Sequence, residues 1–344
     1  MILRDKGKLD ISYIPPEAPC REREKEKLVS FVHSGGHAVL SGDIGTGKTL
    51  LAKQQNHDVY INCYSHKSEY KILEEILRQT RPTFSTAGLA PQRLWRELQG
   101  DHLIILDEID GIIPEDIQHF TYTLSRQPEI SQRIKYIAIT RSYGSLKALI
   151  HDPAIVSTFA EKAVVQLEHY SISQIIEILE YRAKDSLHSG TYSPEILEFI
   201  AHIARLSLGH MRTGIDILRN SAIIAERHDH DIIELEDIRE ANQEGWISDL
   251  ERIDESQALI LLSVAFACRK KTYVTYEEIQ EKYLMLCEGY NRKPQEKTIA
   301  GHLERLLNQE FIYKKPGGMD PWEYTILDYP AYLIIEKFET QFIN

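Results

Sequence analysis

The chain has 344 residues, of which 42% are hydrophobic and 27% charged, and a formal net charge of −12. This length suits two or three globular domains. No apolar stretch reaches the ~20 residues that cross a bilayer, and the charged stretch 1–6 predicts no signal peptide. An acidic chain is not coated with positive charge, so any surface that binds nucleic acid must be a concentrated basic patch. Four cysteines without metal-ligand spacing favour a reduced, cytoplasmic setting.

The first ~165 residues alternate short apolar runs with helical patterns, which predicts a parallel α/β sheet. Residues 21–27 mix both charge signs, and we interpret them as the solvated face of a helix. The strands are expected at residues 37–40, 58–63, 103–106, 135–140 and 163–167.

A phosphate-binding loop follows the first predicted strand directly. The residues are Gly42-Asp43-Ile44-Gly45-Thr46-Gly47-Lys48-Thr49-Leu50, which match the P-loop pattern of two glycines separated by four residues and followed by Lys-Thr. The glycines let consecutive backbone N–H groups surround a polyphosphate, and Lys48 supplies positive charge to the β and γ phosphates. The Thr49 hydroxyl is a ligand for Mg²⁺. We therefore predict that residues 42–50 bind ATP or ADP with Mg²⁺.

A pair of carboxylates follows the third predicted strand. The apolar run 103–106 is typical of a strand buried on both faces, and it ends in Asp107-Glu108. Beside a P-loop, a carboxylate at this place holds Mg²⁺ through water, and we assign that role to Asp107. Glu108 is then placed to orient an attacking water as the general base, which predicts ATP hydrolysis.

The middle of the chain has helical patterns only. Apolar residues at helical spacing predict three helices, over residues 171–188, from Ser193, and after Gly209. This predicts a small all-α module. The expected domains are a nucleotide-binding base at 1–167, the helical module at 168–250 and a last domain at 251–344.

The last domain is predicted to be a winged helix. Helices are expected at 255–268, 275–287 and 297–308, followed by strands at 311–314 and 323–327. The outward face of the third helix carries short polar and basic side chains that suit a major groove, namely Lys297, Thr298, Gly301, His302 and Arg305. Lys314 and Lys315, near the hairpin tip, are expected to contact phosphates. The alternative is a protein-binding module, because acids outnumber lysine and arginine by 15 to 12 over 251–344.

The order of P-loop domain, helical lid and winged helix resembles the archaeal and eukaryotic Orc/Cdc-type replication initiators of the AAA+ class, over nearly the whole chain. Before the P-loop, Tyr13-Ile14-Pro15-Pro16 followed by Arg21-Glu22 is similar to the family's N-terminal segment near the adenine. The other similar segments are Asp107-Glu108-Ile109-Asp110 as the Walker B motif, Val164 to Ser171 at the entry to the lid, and Gly209-His210-Met211-Arg212. The resemblance implies an α/β AAA+ domain with a parallel sheet, an all-α lid and a C-terminal winged helix. It also implies that Arg212 is the sensor 2 arginine, which reaches the γ-phosphate and couples nucleotide state to lid angle.

Two positions depart from that family. The sensor 1 position, usually polar, holds Arg141, which either contacts the γ-phosphate or turns outward. Where the family tends to have Asp-Pro-Arg, with the arginine acting on a neighbouring subunit, this chain has Asp152-Pro153-Ala154. A missing arginine finger costs roughly 10³–10⁵ in turnover, so we expect a weak ATPase in which the nucleotide acts as a slow switch.

The resemblance therefore implies an ATP-binding initiator that recognises origin-like duplex DNA and helps to load the replicative helicase. Its partners would be DNA, the helicase and other initiator subunits, with no membrane, and it would be cytoplasmic and nucleoid-associated. The insertion at 85–98, which touches DNA in initiators, carries only Arg93 and Arg96 here. The alternatives are a regulatory ATPase whose winged helix binds protein, and an efficient ATP motor.

Overall fold

The computed structural model describes residues 1–126, 133–161, 163–243, 250, 253–318 and 321–343. The chain forms two compact units. We call Ile14–Gln174 with Leu208–Met211 the base unit, and Met1–Tyr13, Ile175–Ser207 and Arg212–Asn344 the lid–wing unit. The predicted domain boundaries stay predictions, and residue 251, on the second of them, lies outside the described residues. Within the described ranges no helix is long and apolar enough to cross a membrane.

The base unit contains a five-stranded parallel sheet in the order β2-β3-β4-β1-β5, which confirms the predicted fold class and all five predicted strands. The strands are β1 (His37–Gly42), β2 (Val59–Asn62), β3 (Asp101–Asp107), β4 (Arg133–Thr140) and β5 (Val164–Leu167). Their carboxyl ends meet at one edge, which is where open α/β sheets bind ligands.

Both faces of this sheet are covered. Ile104 and Leu106 of β3 enter one apolar cluster, whereas Ile105 between them enters another. A strand buried on both faces has no need for alternating polarity, which explains the continuous apolar runs of the sequence. The covering helices are α1 (Glu22–Gly35), α2 (Lys48–Lys53), α3 (Glu69–Thr80), α4 (Pro91–Glu97), α5 (Pro114–Ser125), α6 (Tyr143–Ile150) and α7 (Pro153–Val156).

The insertion at 85–98 packs onto the base through α4. Leu94 and Trp95 are buried, and the Trp95 indole N–H donates a 2.7 Å hydrogen bond to Glu69. Arg96 is exposed, and the Arg93 Nε lies 3.2 Å from a carboxylate oxygen of Glu97. One side of the insertion is therefore core, and its arginines lie on the other.

In the described range from β5 to residue 243, the structure has four helices, and the sequence predicted three. They are α8 (Ile172–Ser186), α9 (Pro194–Leu206), α10 (Met211–Arg227) and α11 (Leu235–Ala241). The α9 helix begins as predicted, because the Ser193 hydroxyl accepts from the backbone N–H of Ile196 and proline occupies the first helical position.

The winged helix is present as predicted, with two additions. Its elements are α12 (Glu255–Cys268), β6 (Val274–Thr275), α13 (Tyr276–Gly289), α14 (Glu296–Asn308), β7 (Tyr313–Lys315), β8 (Glu323–Thr325) and α15 (Ala331–Ile343). The three strands form an antiparallel sheet in the order β6-β8-β7. The additions, which were not predicted from the sequence, are β6, which has only two residues, and α15, whose Ile334 and Phe338 join the core of this domain.

Candidate functional site

The P-loop connects β1 to α2 through a backbone that requires glycine. Gly45 has φ +75° and Gly47 has φ +94°, both in the left-handed region. A Cβ on Gly45 would lie 2.4 Å from the carbonyl oxygen of Gly209, and one on Gly47 would lie 2.8 Å from the Tyr170 hydroxyl. The Lys48 ammonium donates to the carbonyls of Gly42 and Asp43, both at 2.7 Å, and so curls back over the loop. This narrow cradle with a lysine at its centre fits a polyphosphate.

The predicted magnesium residues lie side by side. The Thr49 hydroxyl donates to Asp107 Oδ2 at 2.9 Å, which brings together an all-oxygen donor set of the kind that Mg²⁺ prefers. When bound, Mg²⁺ would offset the charge of the phosphate oxygens. A third residue, missed by the sequence reading, joins them: the Tyr60 phenol donates to the same Asp107 oxygen at 2.8 Å. Burial, and then the Asp107 charge, raise the pKa of Tyr60, so this donor keeps its proton.

The predicted general base has two partners. Glu108 has φ 54° and ψ 48°, in the left-handed region, and its Oε2 accepts a 3.0 Å hydrogen bond from the Asn62 amide. The Arg141 guanidinium lies 3.9 Å from the other oxygen, Oε1. Arg141 therefore approaches the predicted catalytic carboxylate, an arrangement that neither predicted orientation included. Asn62 was also missed, although it ends β2 in direct register with Asp107.

An open cavity of about 480 Å³ adjoins this edge of the sheet. Arg141 lies on its wall, together with Asp43 of the P-loop. The remaining lining comes from the carboxyl ends of β1 and β5 and from the start of α6, at Ser41, Gly42, Ser142, Tyr143, Gly144, Gln166, Leu167, Glu168 and His169. The predicted sensor 1 arginine thus borders both the P-loop and a space large enough for a ligand group.

Arg21 ties the P-loop to the entry of the lid, which corrects our interpretation of it as part of a solvated face. Only 4% of it is exposed, and its guanidinium donates to the carbonyls of Thr46 and Glu168. It also lies over the Tyr170 ring, 4.0 Å from the centroid. The residues after it behave as predicted, since Arg23 and Lys27 are exposed.

Two histidines lie against the P-loop within the base unit. The His169 Nε2 lies 3.4 Å from a carboxylate oxygen of Asp43, and the His169 and His210 rings are 4.2 Å apart. The backbone N–H of Ile44, followed by these imidazoles, lowers the pKa of Asp43. Neither histidine was predicted from the sequence to contact the P-loop.

Arg212, the predicted sensor 2 residue, belongs to the lid–wing unit. It is exposed and lies in the first turn of α10. Its contact with the γ-phosphate stays a prediction. At the predicted finger position, Asp152 accepts from the backbone N–H of Ala154 at 2.8 Å and so acts as the N-cap of α7.

The outward face of α14 matches its predicted composition. Lys297, Thr298 and Arg305 are exposed, and among the described residues a Cβ added to Gly301 would meet nothing within 4 Å apart from the backbone of its own helix. The opposite face is buried through Ile299, Leu303 and Leu306, as the helical spacing predicted. His302 lies between the two faces and is half-buried.

The two wing lysines differ. Lys314 is exposed, with its ammonium 4.6 Å from the ring centroid of Trp322. The Lys315 ammonium instead lies 3.6 Å from the ring centroid of Tyr273 and 3.7 Å from a Glu323 oxygen. Lys315 is therefore turned toward the protein, and of the pair Lys314 is the better placed to reach a phosphate.

Two family models match the chain over most of residues 38–243. Residues 38–165 match the ATPase family associated with various cellular activities, and residues 176–243 match the Cdc6 AAA+ ATPase-type lid domain. These segments cover the sheet with its P-loop and the four helices that follow it.

Curated proteins and solved structures are similar over nearly the full chain. ORC1-type DNA replication protein 1 of Sulfolobus acidocaldarius is 27% identical over 318 residues, covering 83% of this chain and 79% of that protein. ORC1-type DNA replication protein 2 of Saccharolobus solfataricus is 24% identical over 364 residues, covering 92% and 87%. Among structures, Cdc6p from Pyrobaculum aerophilum has a TM-score of 0.78 at 23% identity and covers 99% of both chains. The Aeropyrum pernix ORC1 protein in complex with DNA has a TM-score of 0.61 at 22% identity, covering 99% and 98%.

Proposed function

We propose that this chain is an Orc/Cdc-type AAA+ ATPase and, within that family, an ATP-binding replication initiator that binds duplex DNA. The observation that carries the proposal is the pairing of a complete P-loop site with an exposed polar and basic face on the third helix of a winged helix. The first relatives are named as DNA replication proteins, and one similar structure is a complex with DNA. We place the protein in the cytoplasm, in association with the nucleoid, where it would act with other initiator subunits to load the helicase.

At the nucleotide, residues 42–50 would hold the phosphates of ATP or ADP. Thr49 and Asp107 would hold Mg²⁺, and Glu108 would orient the water that attacks the γ-phosphate. We propose slow hydrolysis for two reasons. Position 154 is alanine, and Asn62 and Arg141 both engage the Glu108 carboxylate. Because two side chains interact with the Glu108 carboxylate, it should be oriented toward the attacking water less often.

At the DNA, Lys297, Thr298, His302 and Arg305 would face the major groove, and Lys314, with Lys315 beside it, would face adjacent phosphates. Because the chain is acidic overall, binding depends on this small patch, and it should weaken steeply as salt rises. Each lost phosphate contact should lower the slope of log affinity against log salt by about 0.9.

Fluorescence anisotropy on labelled origin-like duplex tests the proposal, with ATP, with ADP and at a series of salt concentrations. We expect a salt-sensitive affinity that depends on nucleotide in the wild type and loses that dependence in Lys48→Ala. The double variant Lys297→Ala/Arg305→Ala, which removes side chains proposed to read the major groove, should bind at least about tenfold more weakly.

The matched control is Arg23→Ala/Lys27→Ala, which removes the same charge from exposed positions on α1. If it weakens DNA binding as much as the α14 variant, general charge rather than this face explains the binding. A chain that takes up ATP but shows no salt-sensitive duplex binding would favour the second candidate, a regulatory ATPase whose winged helix binds protein. Turnover of about 1 s⁻¹ or faster in a single-turnover ATPase assay would contradict the slow switch.

A further inference from the structure

Two histidines and a buried aspartate converge where α10 ends and α11 begins. His228 Nδ1 lies 3.3 Å from Asp237 Oδ1, and His230 Nδ1 lies 3.1 Å from Asp237 Oδ2. One ligand atom from each residue can be chosen so that all three lie within 4.8 Å of one another. We refer to His228, His230 and Asp237 as the His–Asp cluster.

The spacing of these atoms is close to that of a metal coordination shell. Zinc binds imidazole nitrogen and carboxylate oxygen at about 2.0–2.2 Å, so neighbouring ligands of a tetrahedral site lie roughly 3.3 Å apart. The two nitrogen–oxygen distances of the cluster, 3.3 and 3.1 Å, already have this length. A modest approach of the two rings would bring the full set into position around one ion.

Neighbouring groups already orient the cluster. The other ring nitrogen of His228, Nε2, lies 3.6 Å from Glu240 Oε2, which is the carboxylate–histidine arrangement found behind many metal ligands. The backbone N–H of Glu234 donates to Asp237 Oδ2 at 2.8 Å and fixes that carboxylate. The nitrogen atoms that face Asp237 are hydrogen-bonded to its two oxygens, and a metal ion would replace the protons of those hydrogen bonds while outer groups hold the His228 ring and the carboxylate.

Charge also favours a cation at this place. Asp237 is fully buried, and a buried carboxylate requires a compensating positive charge. Over the described ranges, the only basic side chains within 4 Å of it are the two imidazoles. A divalent ion with neutral imidazole ligands would supply this charge.

We propose that the His–Asp cluster binds one divalent metal ion of the class that prefers imidazole and carboxylate ligands, with Zn²⁺ as its best representative. A water would complete the coordination. The ion would fasten α11 to the end of α10. Because Arg239 and Glu236 of α11 bond to the backbone of the winged helix, the same ion would stiffen the connection between lid and wing.

Calorimetric titration of the nucleotide-free, magnesium-free chain with Zn²⁺ tests this inference, using His228→Ala and His230→Ala. The control is His33→Ala, which removes an exposed histidine of α1. We expect one Zn²⁺ per chain in the wild type and in the control, and an affinity at least about tenfold lower in each cluster variant. Zn²⁺ at about 100 times its dissociation constant should raise the unfolding midpoint of the wild type by about 5 °C or more.

His228 is more than a third exposed, so His228→Ala should fold even if His230→Ala does not. Absence of stoichiometric Zn²⁺ uptake by the wild type would overturn the proposal. The proposal would also be overturned if His228→Ala bound Zn²⁺ as tightly as the wild type and Zn²⁺ raised the unfolding midpoints of both proteins equally. Either result would mean that Asp237 caps α11 and holds the imidazoles by hydrogen bonds alone.

Discussion

Arg239 provides a quantitative test of how the lid helices are joined to the winged helix. Its side chain is fully buried. Its guanidinium donates to the carbonyls of Ile326 at 3.0 Å and Cys268 at 3.1 Å, and to the Glu236 carboxylate at 2.5 Å. It also lies 5.5 Å from the ring centroid of Phe199. The guanidinium also donates to the carbonyl of Lys271 at 3.4 Å, so Arg239→Ala would leave one carboxylate and three main-chain oxygens without these donors.

The size of the effect follows from the burial of the pair. Removing one partner of a buried ion pair costs about 3–5 kcal/mol. Glu236 is 20% exposed and can regain some water, so we expect the lower end, about 3 kcal/mol. In a domain of 150–250 residues each kcal/mol lowers the midpoint by about 2–4 °C, which predicts a fall of about 6–12 °C.

Thermal unfolding followed by circular dichroism or calorimetry measures this difference. The matched control is Arg227→Ala, which removes an Arg–Glu pair of the same length to Glu240, also on α11. Because Arg227 is 62% exposed, its pair should contribute less than about 1 kcal/mol. If the two variants unfold within a degree of each other, the buried guanidinium does not fasten the lid to the wing.

Two further predictions concern Arg141 and Glu226. Arg141→Asn removes a cation 3.9 Å from Glu108, and because both side chains are more than a third exposed, the pair is worth less than about 1 kcal/mol. Single-turnover ATP hydrolysis should therefore rise by no more than about fivefold, whereas a large fall would show that Arg141 acts on the phosphates. The backbone N–H groups of Leu3 and then Ile2 lower the pKa of Glu226 below its ordinary 4.5, so its contribution to stability is full above that value and is lost as the pH falls through the lower folded pKa. Urea titrations should find Glu226→Gln less stable than the parent at about pH 7, with a difference that narrows as the pH falls below 4.5, and a difference independent of pH would contradict this assignment.

The sequence predicts the base sheet well because its signals are local. Each strand is an apolar run, and the P-loop glycines and the Asp107-Glu108 pair can be read from spacing alone. The hydrogen-bond partners of those carboxylates cannot be predicted from spacing, because they depend on which strands are neighbours in the sheet. Tyr60 and Asn62 reach Asp107 and Glu108 only because β2 pairs with β3, a pairing that the order of strands along the chain does not give.

Buried charge is the second feature that sequence patterns miss. Arg21 is the first of the seven consecutive charged residues 21–27, and the pattern predicts that all seven are solvated. Only the structure shows that its guanidinium finds main-chain carbonyls at Thr46 and Glu168, which is the condition for burying a charge. Arg239, in an ordinary amphipathic stretch, is hidden from sequence reasoning in the same way.

The bonds made by α11 bear on how a nucleotide signal would reach DNA. This helix lies before the predicted boundary at 250/251, yet the side chains of its Arg239 and of its C-cap residue Asn242 donate to the backbone of the winged helix, at Ile326 and, at 3.2 Å, at Leu327. Since these residues and α14 belong to the same compact unit, a displacement of the lid helices would move α14, the helix that we propose faces DNA, with them. Coupling between the lid helices and the winged helix then needs no separate moving element. It requires only that the bonds of α11 survive the motion, so Arg239→Ala should reduce the effect of ATP on duplex affinity even at temperatures where the variant is folded. An unchanged ratio of affinities with ATP and with ADP in that variant would show that the signal bypasses α11.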